Sequence, residues 1–270
     1  MRLALRITLA AGLAVGLVGA VSAQEIDTHA RAPKHVEYEF EGPFGKYDRA
    51  ALQRGYQVYK EVCAACHSLK QIAFRNLMDH GGPEFSEAQA RALAAAAKVP
   101  AGPNDKGETH NDSGEVLTRS AVLADYFPAP FPNEEAARTA NAGALPPDLS
   151  LMVKARHHGA AYVYSLLTSY GEKPPAGFAV AKGKYYNPYF AGWNIGMPQP
   201  VTNNGVTYSD GTKASIEQQA HDVVTFLAWA AEPKMEQRKQ MGFAVLIFLL
   251  AFAGVLGLAY KKVKGEYALK

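Results

Sequence analysis

The chain holds two cysteines, and both lie in one five-residue run, Cys63-Ala64-Ala65-Cys66-His67. Two thiols at this spacing can each add to a haem vinyl group, and the histidine that follows then lies beneath the iron as proximal ligand. This is the pattern of c-type haem attachment. A zinc site needs four ligands, and the chain has no second cysteine pair. A thioredoxin-like dithiol expects a strand before it and a helix after it. Here the residues before Cys63 place Leu52, Tyr56 and Tyr59 at helical spacing instead. The motif predicts one covalently attached haem c, held by Cys63 and Cys66, with His67 on the iron.

The residues alone leave the sixth ligand open. Of the 6 methionines, Met1 falls in a leader-like segment, and Met235 and Met241 border an apolar stretch. Met78 and Met152 sit where packing explains a methionine. Met197 differs, because Ile195-Gly196-Met197-Pro198-Gln199-Pro200 is a non-periodic stretch stiffened by prolines. Such a loop can hold a thioether on the iron face opposite His67. The adjacent pair His157-His158 is the rival, as a bis-histidine source, although histidines near a helix end commonly bond carbonyls or water.

The elements that must position these residues read as mainly helical. Asp48 caps a helix carrying Leu52, Tyr56, Tyr59 and Cys63 on one side. Ser86-Glu-Ala-Gln89 and Ser215-Ile-Glu-Gln218 are capping boxes. The second opens a helix with Ile216, Ala220, Val223, Val224 and Leu227 on one face. Asp148 is expected to open a short helix ending near Gly159, and Ala160–Tyr170 to form another. Pro100–Gly114, Tyr126–Asn133 and the segment from Glu172 through Pro175 read as loops, and Val201–Gly211 as a short hairpin. No internal repeat is expected.

Both ends read as non-globular. Met1–Ala23 has Arg2 and Arg6, then an uncharged apolar run, then Val21-Ser22-Ala23, the three parts of a cleaved secretory signal. Gly242–Tyr260 is 19 residues without a charge, about 28 Å as a helix and close to the hydrocarbon thickness of a bilayer. Lys234, Arg238 and Lys239 precede it, and Lys261, Lys262 and Lys264 follow. The layout expected is a signal at 1–23, an exported haem domain at 24–233, a juxtamembrane segment at 234–241, a transmembrane anchor at 242–260 in contact with membrane lipid, and a cytoplasmic tail at 261–270. Basic flanks of similar strength orient the helix weakly, so export of the residues after Ala23 sets the direction. The haem domain is then periplasmic, on a bacterial-type inner membrane.

Several longer segments resemble the cytochrome c1 family. They are GYQVYKEVCAACHSL, LADYFPAPFPNEEAARTANAGALPPDLSLMVKARHHG, YVYSLLTSYG, YYNPYFAGWNIGMPQP and DVVTFLAWAAEPKMEQRKQMG, which span most of Gly55–Gly242. The resemblance implies a cytochrome c-like helical haem domain with long loop insertions and one C-terminal transmembrane helix. It implies His67 and Met197 as axial ligands. It also implies Arg156 facing a haem propionate, Tyr162 and Asn141 nearby, and Pro147 packed on the ring. It implies an electron-transfer subunit of the ubiquinol–cytochrome c oxidoreductase (cytochrome bc1) complex, not an enzyme as an isolated chain. Its partners would be cytochrome b and the Rieske iron–sulfur protein within a dimeric complex, with a cytochrome c as acceptor and no nucleic acid.

Filled axial positions leave no site for oxygen or peroxide, so such a haem transfers electrons. A Met/His pair raises its potential. Charge fits this role once it is partitioned. The whole chain is formally +3, yet residues 24–233 hold 19 basic and 23 acidic residues. Acids gather at Glu37, Glu39 and Glu41, at Asp105, Glu108, Asp112 and Glu115, and at Glu134 and Glu135. An acidic surface steers a basic partner and loses its effect in salt.

Overall fold

Asp48, in extended conformation, accepts a hydrogen bond from the Ala50 N–H at 2.8 Å and starts α1 (Arg49–Glu61). In the computed structural model, which describes residues 28–268, α1 runs directly into a 3-10 turn at Cys63–Ala65. The segment Met1–Ala23, expected to be a signal, lies outside the described residues. After a second 3-10 turn at Phe74–Met78 come α2 (Glu87–Ala95), β1 (Lys98–Pro100), β2 (Thr118–Ser120), α3 (Glu134–Ala140) and α4 (Gly159–Leu167). β3 (Tyr185–Tyr186), β4 (Asn194–Ile195), α5 (Ile216–Ala231) and α6 (Met235–Ala268) complete the order. The strands form two antiparallel pairs, β1 with β2 and β3 with β4. The fold is mainly α.

The core is organised by the crossing of α1 and α5. Leu52, Tyr56, Val58 and Tyr59 of α1 are buried against Ala220, Val223, Val224, Phe226 and Leu227 of α5. Gly55 sits at the closest approach: a Cβ there would stand 2.0 Å from the Asp222 carbonyl oxygen and 2.8 Å from the Phe226 Cβ. Beside it, Arg54 donates to both oxygens of fully buried Asp222, at 2.9 and 3.0 Å, and reaches Asp210 at 2.9 Å. Tyr56, Tyr59, Phe127 and Phe226 pack ring to ring with centroids 5.7–6.0 Å apart. The end of α1, and so the position of the cysteine turn, is set by this crossing.

Capping explains the other helices. Ser86 accepts from the Gln89 N–H while Gln89 accepts from the Ser86 N–H, and Ser215 accepts from the Gln218 N–H. Of the α5 face expected from sequence, Ala220, Val223, Val224 and Leu227 are buried and Ile216 partly so. Three expectations need correction. Asp148 does not open a helix: residues 149–158 form a series of turns, and His158, at φ +62, has the left-handed backbone that ends them before α4 begins. Val201–Gly211 forms turns without strands, and the hairpin lies instead at β1–β2, around the polar loop. That loop holds a short repeat, Asn104-Asp-Lys-Gly-Glu108 and Asn111-Asp-Ser-Gly-Glu115. In both copies the asparagine Oδ1 accepts from backbone N–H groups two and four residues on, at 2.8–3.0 Å.

α6 has 34 residues and extends about 51 Å at 1.5 Å per residue. It takes in the segment expected to precede the anchor, so the apolar stretch continues a helix that begins on the globule. Met235 in its first turn is buried in the core. Glu236 bonds Arg49 at 2.8 and 2.9 Å and accepts from the Tyr47 N–H at 2.9 Å, while Lys239 donates to the Phe40 carbonyl at 2.7 Å. Among the described residues it is the one helix long and apolar enough to cross a membrane, with mean hydropathy 2.6 over its most apolar window.

Candidate functional site

Cys63, Cys66 and His67 occupy one tight turn. The Cys66 and His67 N–H groups both donate to the Cys63 carbonyl, at 3.1 and 2.9 Å. In a 3-10 turn residues three apart fall on the same side, which suits two thiols meant for one planar partner. Cys63 is half-buried and Cys66 exposed. Burial, with the neighbouring Cys66, pushes the Cys63 thiol up to about 12. A dithiol redox site needs its thiol pushed down, and a helix, not a strand, precedes this turn. Among the described residues no group of three or more His, Cys, Asp or Glu side chains is placed to hold a metal ion by itself.

His67 is held by the segment that follows α3. Its Nδ1 lies 2.8 Å from the Pro147 carbonyl oxygen. A carbonyl only accepts, so Nδ1 carries the proton and Nε2 keeps its lone pair. Burial holds the imidazole below its ordinary value, with the Pro147 carbonyl and the Asp148 charge opposing, and so favours the neutral, ligating form. Pro147 is fixed in turn by a zipper. Asp148 accepts from the Ser68 hydroxyl at 2.7 Å, the Lys70 N–H at 3.0 Å and the Ser150 N–H at 2.9 Å. The Leu149 N–H donates to the Ser68 carbonyl at 2.9 Å, and the Gln71 N–H to the Ser150 hydroxyl at 3.1 Å. Burial raises the Asp148 carboxyl, but the bonds from Ser150, Lys70 and Ser68 outweigh it and leave it below its ordinary value.

Met197 follows β4, half-buried against the core. Its carbonyl accepts from the Tyr170 hydroxyl at 3.0 Å. The preceding Gly196 meets the segment that carries Pro147: a Cβ there would stand 3.0 Å from the Ala144 Cβ. The methionine loop and the loop that orients His67 are therefore in contact. Of the other methionines, Met152 and Met235 are buried in the core, and Met78 is half-buried at the end of the second 3-10 turn. His157 and His158 are exposed and pack on each other, ring centroids 4.0 Å apart.

The remaining expected residues fall around this junction with unequal strength. Arg156 is exposed and donates to the Ala155 carbonyl at 3.1 Å; burial pushes the Tyr162 phenol upward while the Arg156 charge pulls it down. Tyr162 lies near Tyr170, whose hydroxyl holds the Met197 carbonyl. Asn141 ends α3 and spends its side-chain N–H on the Ala137 carbonyl at 2.7 Å, a structural bond. Two contributors carry no local sequence signal: Tyr170, and the acidic zipper centred on Asp148, whose bonds join residues about 80 apart.

These residues fit a haem c. Paired thiols precede a histidine whose Nδ1 is already bonded, and a thioether loop touches the segment that bonds it. The chain matches a model of the Cytochrome C1 family over residues 38–267. It is 49% identical over 249 residues to the "Cytochrome b/c1" protein of Bradyrhizobium diazoefficiens, covering 86% of this chain and 35% of that protein. The chain thus spans about a third of that relative's length. Identity is 46% over 243 residues with "Cytochrome c1 1, heme protein, mitochondrial" of Arabidopsis thaliana, covering 90% of this chain and 75% of that one. It is 42% over 268 residues with "Cytochrome c1" of Rhodospirillum rubrum, covering 93% of each.

Proposed function

The chain belongs to the cytochrome c1 family, and on that basis we propose that it is the electron-transfer cytochrome of a bc1 complex, taking an electron from the Rieske iron–sulfur protein and passing it to a cytochrome c. Its haem domain faces the periplasm and α6 anchors it, with the C-terminus in the cytoplasm. Cytochrome b and the Rieske protein are its partners within the complex.

The observation that carries this reading is the bond between His67 Nδ1 and the Pro147 carbonyl. It commits the imidazole to one tautomer and leaves Nε2 for iron, the arrangement by which an outer partner orients a ligating histidine and raises its basicity. Bound here through Cys63 and Cys66, one haem c supplies a reversible one-electron ferric/ferrous couple. The chain does the rest. His67 and Met197 would hold the iron of that haem, and the Met197 thioether would favour the ferrous state and raise the potential. Val62, next to Cys63, and Met197 are partly buried against the core, and an apolar wall at the site would raise the potential further. Arg156, exposed and close enough to Tyr162 for its charge to pull that phenol down, would offer a cation to a propionate. With both residues on the iron, oxygen and peroxide would be excluded, so the chain would carry electrons and need no substrate pocket.

The acidic side chains of 105–115 all lie exposed in the loop between β1 and β2, available to steer a basic partner. The test is purification of the full chain from membranes in mild detergent with redox titration of the product. The reading expects one high-potential haem c that travels with a cytochrome b and a Rieske protein. A haem protein that elutes alone, with quinol oxidation left in the other fractions, would overturn it.

A further inference from the structure

The first described residues form a strap without helix or strand that is tied to the rest of the chain by a series of hydrogen bonds. The Gly192 N–H donates to the Thr28 carbonyl at 3.1 Å, and the Trp193 indole N–H to the His29 carbonyl at 3.1 Å. The Arg31 N–H donates to the Pro188 carbonyl at 2.9 Å, and its guanidinium pairs with Glu172 at 2.7 Å. The Lys34 N–H donates to the Ser165 hydroxyl at 2.8 Å. Its ammonium reaches the Thr168 hydroxyl at 2.9 Å and carbonyl at 3.2 Å, and lies 5.7 Å from the Tyr189 ring centroid. The strap grips two things: the segment 188–193 and the C-terminal end of α4.

Those are the two supports of the Met197 loop. Trp193 directly precedes β4, and Met197 follows β4 by one residue. Trp193 has φ +57, a left-handed backbone that a bulky side chain adopts only when its surroundings hold it there. Its indole is buried, edge-on to Phe178 at 5.4 Å and to Tyr186 at 5.9 Å, and its one polar atom is the donor to the strap. At the other support, Tyr170 bonds the Met197 carbonyl from just beyond α4, two residues past the Thr168 that Lys34 clamps. Removing the strap would orphan a buried indole N–H at a strained residue and loosen the end of α4. Both changes act at the ends of the methionine loop and at neither cysteine.

We propose that the strap Thr28–Lys34 is a positioning element for the Met197 thioether: by fixing Trp193 and the end of α4 it keeps the sulfur on the iron. The proposal rests on the reading of Met197 as axial ligand. It gives the segment just after the expected signal a role in tuning the haem.

The test uses the full-length, haem-loaded chain with Trp193→Phe, which keeps a ring and deletes the indole donor, with Lys34→Met, and with the double variant. Lys34→Arg serves as the conservative rescue and Met197→Leu as the ligand control. Three readouts are taken: the far-red absorption of thioether-ligated ferric haem, the fraction of reduced protein that binds carbon monoxide, and the midpoint potential. Loss of one such hydrogen bond is worth about 1 kcal/mol, or roughly fivefold in the population with sulfur off the iron. Each strap variant is expected to keep covalent haem, raise the carbon monoxide-binding fraction about fivefold and weaken the far-red band, with more in the double variant and recovery in Lys34→Arg. If the double variant matches the unmodified chain in all three readouts while Met197→Leu loses the band, the strap merely stabilises the fold and the inference fails. If Met197→Leu itself keeps the band and potential, the ligand assignment fails and takes the inference with it.

Discussion

Replacing Gly55 with alanine tests whether the crossing of α1 and α5 holds the haem turn in place. The new Cβ would meet the Asp222 carbonyl oxygen at 2.0 Å, its carbon at 2.7 Å and the Phe226 Cβ at 2.8 Å. Two of these are backbone atoms of α5, which no side-chain rotation can move aside. Bringing the oxygen to an ordinary contact separates the helices by more than 1 Å locally. A gap of that size forfeits a quarter to a half of each dispersion contact along the seam, and overpacking of this kind costs about 1–3 kcal/mol or more. Alanine returns about 1 kcal/mol through helix propensity. A clash with backbone this close belongs at the top of that range, so the net expectation is a loss of about 2 kcal/mol, or roughly 4–8 °C in Tm for a domain of this size. Thermal melts followed by circular dichroism and by the haem absorption band measure it, and the two probes should fall together because α1 runs straight into Cys63. A Tm unchanged within 1 °C would refute the close-crossing argument.

The remaining predictions concern the charges around the site. Arg54→Met leaves Asp222 fully buried without its bidentate partner and should cost about 3 kcal/mol in chemical denaturation; a loss below 1 kcal/mol would contradict that pairing. Asp148→Ala removes bonds to Ser68, Lys70 and Ser150 and should cost about 2 kcal/mol at pH 7. Because the folded Asp148 lies below its ordinary value, its contribution is present above the unfolded value of about 3.9 and fades as pH falls through the folded one. The gap between the two proteins should therefore narrow as pH falls below about 4, and a gap constant from pH 7 to pH 3 would speak against the zipper. Electron transfer to a basic soluble cytochrome should slow as salt rises from about 0.05 to 0.2 M, as screening of an acidic face requires; a salt-independent rate would remove the steering role.

What the sequence made legible was local or periodic. The cysteine–histidine turn, the caps at Asp48, Ser86 and Ser215, and the buried face of α5 each depend on residues within a few positions of one another. The misread at Asp148 shows the limit. An aspartate before apolar residues looks like a helix cap, but its carboxylate also bonds Ser68 and Lys70, about 80 residues away. The strap was invisible for the same reason, since its bonds to α4 and to Trp193 reach across 131–164 positions and leave no pattern in Thr28–Lys34. Met197 lay between these cases. Its proline-stiffened loop singled it out, but only the approach of Gly196 to Ala144 brings that loop to the segment orienting His67.

If His67 and Met197 both hold the haem iron, carbon monoxide added to the reduced, unmodified protein at neutral pH should leave the visible spectrum unchanged over minutes, because neither face of the iron would be open. Rapid and complete formation of a carbon monoxide adduct would contradict that ligation.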